Sequence, residues 1–347
     1  MVLKRLLRPF RAVLAVLFIL GLPVTAAQAG TAVRVGYIPV LGIGQLFVIE
    51  GEGWARDAGL TLTLTRFDSG PAMISALVSG TIDAYFGGVA PILVARTKGV
   101  GVKVVAATAI EEMTVVGRGD FAATPGNTTA AGFKAFFERT GRPVRIATQP
   151  PGSVPDTTLR YWLENVVKVD PAHVSIVAMG IEQTQQALLA GAVDAATVRE
   201  PAVTTVLDRD PGARLLALGG QMLPNQPGSV LALADAFIAR DRDATTRLVA
   251  LTARATGLLR SDPAAAAVHL QRGLGNGIVP VEVFRRALAS PASRFAADPD
   301  QIVEATGTLQ MFQVRLGELP VPVDLATVFD DSFYRAATQT LTVAPKP

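Results

Sequence analysis

Short apolar runs alternate with helix-forming stretches along most of this chain. Val33–Tyr37 is a β-rich run, and Gly42–Ala58 reads as a helix that Gly59 stops. Leu60–Phe67 alternates apolar and polar residues, as a strand does. Ser69-Gly70-Pro71 is a helix-start signal, Pro71–Val78 is its helix, and Gly80 stands where a left-handed C-cap is expected. A strand at Ala84–Phe86, a helix at Val89–Lys98 and a strand at Val102–Ala109 follow. Strands and helices alternating at this length predict an α/β fold with a parallel, doubly wound sheet.

The pattern then recurs. Val33–Pro39 aligns with Val144–Pro150, and Leu77–Ala84 with Leu188–Ala195, both displaced by 111 residues. One offset for two separate matches means the same supersecondary unit built twice. The period is too long for a solenoid and suits two similar lobes with a cleft between them. The second copy reads as strands at Val144–Thr148, His173–Ala178, Ala195–Val198 and Leu215–Leu218, with helices at Val154–Val166 and Glu182–Ala190. Met113–Asp120 and Gly219–Ser229 are read as crossings between lobes, and Val230–Ala234 as a strand rejoining the first. Beyond Arg240 the pattern is helical, in segments Asp243–Arg260, Pro263–Leu274, Val281–Ala289, Pro299–Leu316 and a short one near Asp330–Thr338. These helices have no counterpart in the repeat and are expected to clad the first lobe. The expected division is a leader at 1–29, the first lobe at 30–115, the second at 116–225, and a return to the first at 226–347.

The leader changes how charge is read. Lys4, Arg5, Arg8 and Arg11 precede the apolar run Ala12–Leu22, and Ala27-Gln28-Ala29 is an A-x-A cleavage signal. The run falls short of the ~20 residues of a membrane span, so a secretory signal and a periplasmic protein are expected, with no lipid-bearing cysteine. The whole chain has 32 basic and 29 acidic residues, a formal net of +3. Without the leader's four basic residues the net is −1, which gives nucleic-acid binding no support. There is no cysteine, which excludes disulfides and thiol chemistry. The only histidines, His173 and His269, are far apart in sequence and suggest no metal site.

Ligands of open α/β sheets sit beyond the carboxyl ends of the strands. Here those ends bring forward Tyr37, Gly42, Ser69, Gly70, Gly88 and Val89 from the first lobe, and Gly152, Ser153, Arg199 and Glu200 from the second. The offset pairs Gly88-Val89 with Arg199-Glu200, setting a glycine-rich wall against a charged one. Several of these segments open helices, whose free N–H groups favour anions. Ser69 and Ser153 read equally well as plain helix caps, and Tyr37 as a packed strand end. Glu111-Glu112, by the first crossing, reads as an exposed or hinge ion pair. Asp83 and Asp194 sit at strand starts in the repeated Gly-x-Ile/Val-Asp turn and are read as structural.

Taken in order, Val33–Pro39, Leu46-Phe47-Val48, Arg66–Ala72, Gly80-x-Ile82-Asp83, Gly152-Ser153, Asp156–Tyr161, Gly191-x-Val193-Asp194 and Glu200-Pro201 resemble the solute-binding proteins of NitT/TauT-type ABC importers. The resemblance covers about residues 31–235. It implies a type II periplasmic-binding-protein fold, closure by hinge motion, and delivery of the ligand to the transmembrane subunits of a permease. Two lobes joined by two crossings are expected to form a monomer, and no cofactor is expected. The resemblance also places the acidic Glu200, rather than Arg199, in the cleft. Two departures stand out: Arg199 where many members carry an aromatic, and the apolar Val40–Gly44 where a polar residue is common. The implied ligand is a small organic anion, sulfonate- or taurine-like. A thiamine-precursor pyrimidine, or an enzyme on the same fold, is the alternative.

Overall fold

A computed structural model describes residues 30–343 of the chain; the expected leader lies outside them. The first unit of the fold runs β1 (Thr31–Tyr37), β2 (Leu60–Arg66), β3 (Ala84–Gly88) and β4 (Val102–Ala107). A two-residue strand, β5 (Ala109–Ile110), follows. The second unit holds β6 (Thr114–Gly117), β7 (Val144–Thr148), β8 (Val174–Ala178), β9 (Ala195–Val198) and β10 (Arg214–Leu218). The chain then returns through β11 (Ser229–Ala234) and later adds β12 (Arg294–Phe295).

The sheet orders are β2-β1-β3-β11-β4 and β10-β6-β9-β7-β8. Reversed, the second reads β8-β7-β9-β6-β10, the same arrangement as the first. Register repeats as well: Val35 pairs with Ala84 as Ile146 pairs with Ala195. Neither sheet is wholly parallel. β11 runs antiparallel to β3 and β4, and β6 antiparallel to β9 and β10. Each is the strand that enters from the other lobe, so it meets its sheet from the opposite end.

This corrects the first crossing. Thr114–Gly117, expected within a linker, is a buried strand of the second sheet, and the crossing is the stretch 108–113 just before it. Two helices of eight residues or more went unread: Ala130–Thr140, capped by Thr129 and ended by the left-handed Gly141, and Ala202–Arg209. The C-terminal helices do more than clad the first lobe. Arg242–Ser261 and Pro263–Gly273 pack on the first-lobe helix Gly44–Gly51, as expected. Val281–Ala289 instead packs on Ala202–Arg209, and Val303–Arg315 touches both Ala90–Thr97 and Val154–Tyr161. The C-terminal region therefore straddles the lobes.

The repeated aspartates act as expected. Asp83 accepts the Arg34 backbone N–H at 3.0 Å and its side chain at 2.8 Å, while the Asp83 amide donates to the Arg34 carbonyl at 2.7 Å. Asp194 accepts the Arg145 amide at 2.8 Å and donates to the Arg145 carbonyl at 2.9 Å, with Arg142 as its cation at 2.7 Å. Each aspartate stitches the start of one strand to its neighbour. Burial alone would push the Asp83 pKa up, but the Arg34 hydrogen bonds and charge outweigh it and hold it below the ordinary value. A pKa lowered on folding adds stability above the unfolded value, and that stability is lost as pH falls through the folded one. Asp83→Asn should therefore lower unfolding stability by about 1–3 kcal/mol at pH 7. The difference from wild type should shrink in acid below about pH 4. Urea unfolding at both pH values checks this; an equal loss at both would refute the ionic role.

Candidate functional site

The carboxyl ends of the two sheets face each other across a small, partly open cavity. The first lobe lines it with Ile38, Ser69, Gly70, Gly88 and Pro91, and the second with Gln149, Ser153, Val154, Pro155, Ile181 and Arg199. Its volume is about 10 Å³, room for roughly one water. Much of the lining comes in repeat pairs 111 residues apart: Ile38 with Gln149, Gly70 with Ile181, Gly88 with Arg199. The wall of the first lobe is apolar and glycine-rich, and that of the second carries the amide and the guanidinium. Gln149, Ile181 and Arg199 also line a groove of about 690 Å³ that runs past Val40, Val279 and Val283.

Five of the expected residues meet here: Ser69, Gly70, Gly88, Ser153 and Arg199. Ser69 and Ser153 also cap their helices, accepting the amides of Ala72 and Asp156, each at 3.4 Å. Bonds that long leave much of each hydroxyl's capacity unspent. Gly88 is required by closeness: a Cβ there would lie 2.7 Å from Val154 Cγ2 on the opposite lobe. The buried Tyr85 hydroxyl donates to the Gly88 carbonyl at 2.9 Å and fixes that strand end.

Arg199 is 6% exposed. Its guanidinium lies 3.4 Å from Glu112 Oε1 and 3.4 Å from Gln149 Oε1. Both contacts are long, so its donors are only weakly engaged. Glu112, 3% exposed, sits in the first crossing, and its Oε1 also accepts the Ser229 hydroxyl at 2.7 Å at the end of the second crossing. The hinge ion pair expected at Glu111-Glu112 is therefore Glu112 with Arg199, while Glu111 pairs with Arg294 and accepts the Asn225 amide.

The other expected residues lie elsewhere. Glu200 does not line this small cavity, but it lines the larger groove together with Gln149 and Arg199. Its side chain turns back to accept the Thr204 amide at 3.0 Å at the start of the unread helix Ala202–Arg209, and its own carbonyl accepts the Leu41 amide at 2.8 Å. Adjacent strand residues point to opposite faces, and Arg199 took the inward one. Burial pushes the Glu200 pKa up. Tyr37 packs edge-on against Phe47 at 5.4 Å, and Val89 is fully buried ahead of Ala90–Thr97. Gly42 lines a second small cavity beside Glu112. Gly152, at φ +79°, turns its amide toward the Glu318 carboxylate of the C-terminal region. Gln149 was visible only as part of a strand end; its repeat partner Ile38 gave no hint of polarity.

Two α/β lobes of like topology thus meet at a cavity that a buried arginine lines. The chain belongs to the NMT1-like family, whose sequence model matches residues 26–272. It is 26% identical over 244 residues to the nitrate import ATP-binding protein NrtC of Synechococcus elongatus, covering 69% of this chain but 36% of that longer protein. The periplasmic nitrate-binding protein NrtA of Synechocystis PCC 6803 shares the fold with a TM-score of 0.77 at 17% identity, over 91% of this chain and 90% of that one. The alkanesulfonate-binding protein SsuA of Xanthomonas axonopodis pv. citri, bound to MOPS, gives 0.68 at 21%, over 86% and 98%. The desulfurization enzyme DSZB gives 0.61 at 15%, over 90% and 99%.

Glu318 ties the C-terminal region to the cavity helix Val154–Tyr161. It accepts the Thr157 hydroxyl at 3.2 Å and the Gln313 amide at 3.3 Å, and lies beside the fully buried Asp156 carboxyl. Asp156 Oδ1 is enclosed without a hydrogen-bond partner. Burial pushes both carboxyls above the ordinary range. An acid whose pKa rises on folding binds its proton more tightly when folded, so stability falls as pH climbs past about 4. Glu318→Gln keeps the accepting oxygen and offers Asp156 a permanent donor. It should raise the melting temperature at pH 8 and flatten the decline between pH 5 and 8. Parallel decline in variant and wild type would show that the two carboxyls do not share a proton.

Proposed function

We propose that this chain is the periplasmic solute-binding component of an ABC importer, capturing a small organic anion between its lobes and delivering it to the permease. The observation that carries this reading is Arg199: a buried, weakly engaged guanidinium opening on an interlobe cavity beside Gln149 and two helix-start serines. Charge-assisted hydrogen bonds to an oxyanion are about twice as strong as neutral ones, and a site shut from water strengthens them further. Helix starts at Ser69 and Ser153 add favourable dipoles. A sulfonate or taurine-like head group suits this donor set. The groove running from Arg199 past Val40 and Val283 favours an organic anion with a tail over a bare inorganic one. A thiamine-precursor pyrimidine is the second reading, because Gln149 can pair with a ring amide.

Binding is favoured over catalysis by the lining itself. Its only hydroxyl side chains, Ser69 and Ser153, are helix caps, and neither a histidine nor a carboxylate lines the cavity to act as their base.

Calorimetry with nitrate, methanesulfonate, taurine and a pyrimidine tests the reading. At least one sulfonate should bind. Arg199→Gln should weaken it by about 10- to 150-fold. Arg199→Lys, which leaves Glu112 a counter-charge, should also lose affinity while costing less stability. Wild-type affinity in both variants, or turnover of the sulfonate, would overturn the reading.

A further inference from the structure

Glu318 does not line the cavity, yet it touches the backbone that shapes it. Its carboxylate accepts the Gly152 amide, and Gly152, in the left-handed region at φ +79°, leads directly into Ser153. Glu318 Oε2 also meets the Thr157 hydroxyl at 3.2 Å, and that hydroxyl lies 3.0 Å from the Ser153 carbonyl. The Gln313 amide braces the carboxylate at 3.3 Å. The region that carries Glu318 is rooted on the first lobe: the turn Pro299–Ile302 packs on β4, and Val303–Arg315 on Ala90–Thr97. Glu318 thus reaches from a first-lobe anchor to the helix start with which the second lobe lines the cavity.

Asp156 lies one turn into that helix. Its Oδ2 takes Arg160 at 2.9 Å, while its Oδ1 is enclosed with no hydrogen-bond partner. Two carboxyls in contact, one with an orphaned oxygen, are most stable with one proton between them. Among the described residues Arg160 is the cation that meets the pair. The other charged groups of the elements packed here are engaged or turned away. Arg315 pairs with Glu164, Arg96 with Asp235 and Arg199 with Glu112. Glu304 stands at the opposite end of Val303–Arg315, and Arg145 of β7 is exposed.

We propose that Glu318 is a positioning residue of the interlobe site, holding the Gly152-Ser153 helix start in its binding geometry, and that the proton it shares with Asp156 is linked to anion binding. This rests on the anion reading of the site given above. With the proton in place the pair carries one negative charge beside Ser153; without it, two. The second charge repels an anion held at Ser153 and Arg199, so affinity falls as pH rises and the proton leaves. By linkage, a bound anion draws a proton onto the pair.

Calorimetry of the full chain with methanesulfonate and taurine at pH 5 and pH 8 tests this, since both keep their sulfonate charge throughout. In wild type the affinity should fall by about 3- to 30-fold from pH 5 to pH 8. Glu318→Gln leaves one charge at either pH and keeps an oxygen for Gly152. It should bind at both pH values as wild type does at pH 5. Glu318→Ala removes the anchor as well, and should bind about 5- to 10-fold more weakly than Glu318→Gln at either pH. If it fails to fold, Glu318→Asp, one methylene short of Gly152, takes its place. A flat wild-type profile, or a profile in Glu318→Gln parallel to wild type, would overturn the proton link. Equal affinity in the Gln variant and the truncated one would overturn the positioning role. Binding of neither sulfonate at either pH would bring down the anion reading itself, and this proposal with it.

Discussion

Glu112 is the constraint on which the closed arrangement depends. A carboxylate buried in the first crossing must find partners, because an isolated buried charge costs several kcal/mol. It finds the Ser229 hydroxyl at the end of the second crossing and the Arg199 guanidinium at the end of β9. Those two bonds tie both crossings to the second lobe at one point. They also bring Arg199 inward to the cavity, which the chain could not otherwise equip with a cation: its repeat-related position is Gly88. Crossing and cavity therefore share a charge, and whatever draws on Arg199 also acts on the crossing.

Apolar side chains of both lobes form one buried cluster, while several of the polar contacts between the lobes are individually modest. Leu41 donates to the Glu200 carbonyl at 2.8 Å and Ile181 to the Asp68 carbonyl at 3.3 Å. Arg66 pairs with Glu182 at the surface, and Gly88 lies against Val154. A surface ion pair adds about 0–1 kcal/mol, and a neutral hydrogen bond about 0.5–1.5 kcal/mol. A closed form held by terms of this size can be shifted by a ligand that touches both walls, provided it binds the closed state better. The Glu318 strap adds a further tie, from the C-terminal region to the helix that Ser153 caps.

The repeat was legible because it lies in residues the backbone cannot vary freely. Asp83 and Asp194 are bound to fixed amides, and Gly80 and Gly191 both take left-handed turns. The orientation of Arg199 and Glu200 was not legible, because it depends on a helix that was not read. Glu200-Pro201 ahead of Ala202-Val203-Thr204 is an acidic residue and a proline before a helical run, a start signal in its own right. Read so, Glu200 would have been assigned to the Thr204 amide and Arg199 to the cleft. The strand Thr114–Gly117 was missed for another reason. Four residues with no alternation are too few to tell a buried strand from a linker, and only pairing with β9 and β10 identifies it. The meeting of Glu112 with Ser229 joins residues 117 positions apart, which no local pattern records.

The central claim is that the lobes close about an anion held at Arg199. Small-angle scattering of the protein with and without a saturating sulfonate found by calorimetry tests it most directly. The account predicts a smaller radius of gyration on binding, with no such change in Arg199→Gln at the same concentration. A profile unchanged at saturation in wild type, or an equal compaction in the variant, would contradict it.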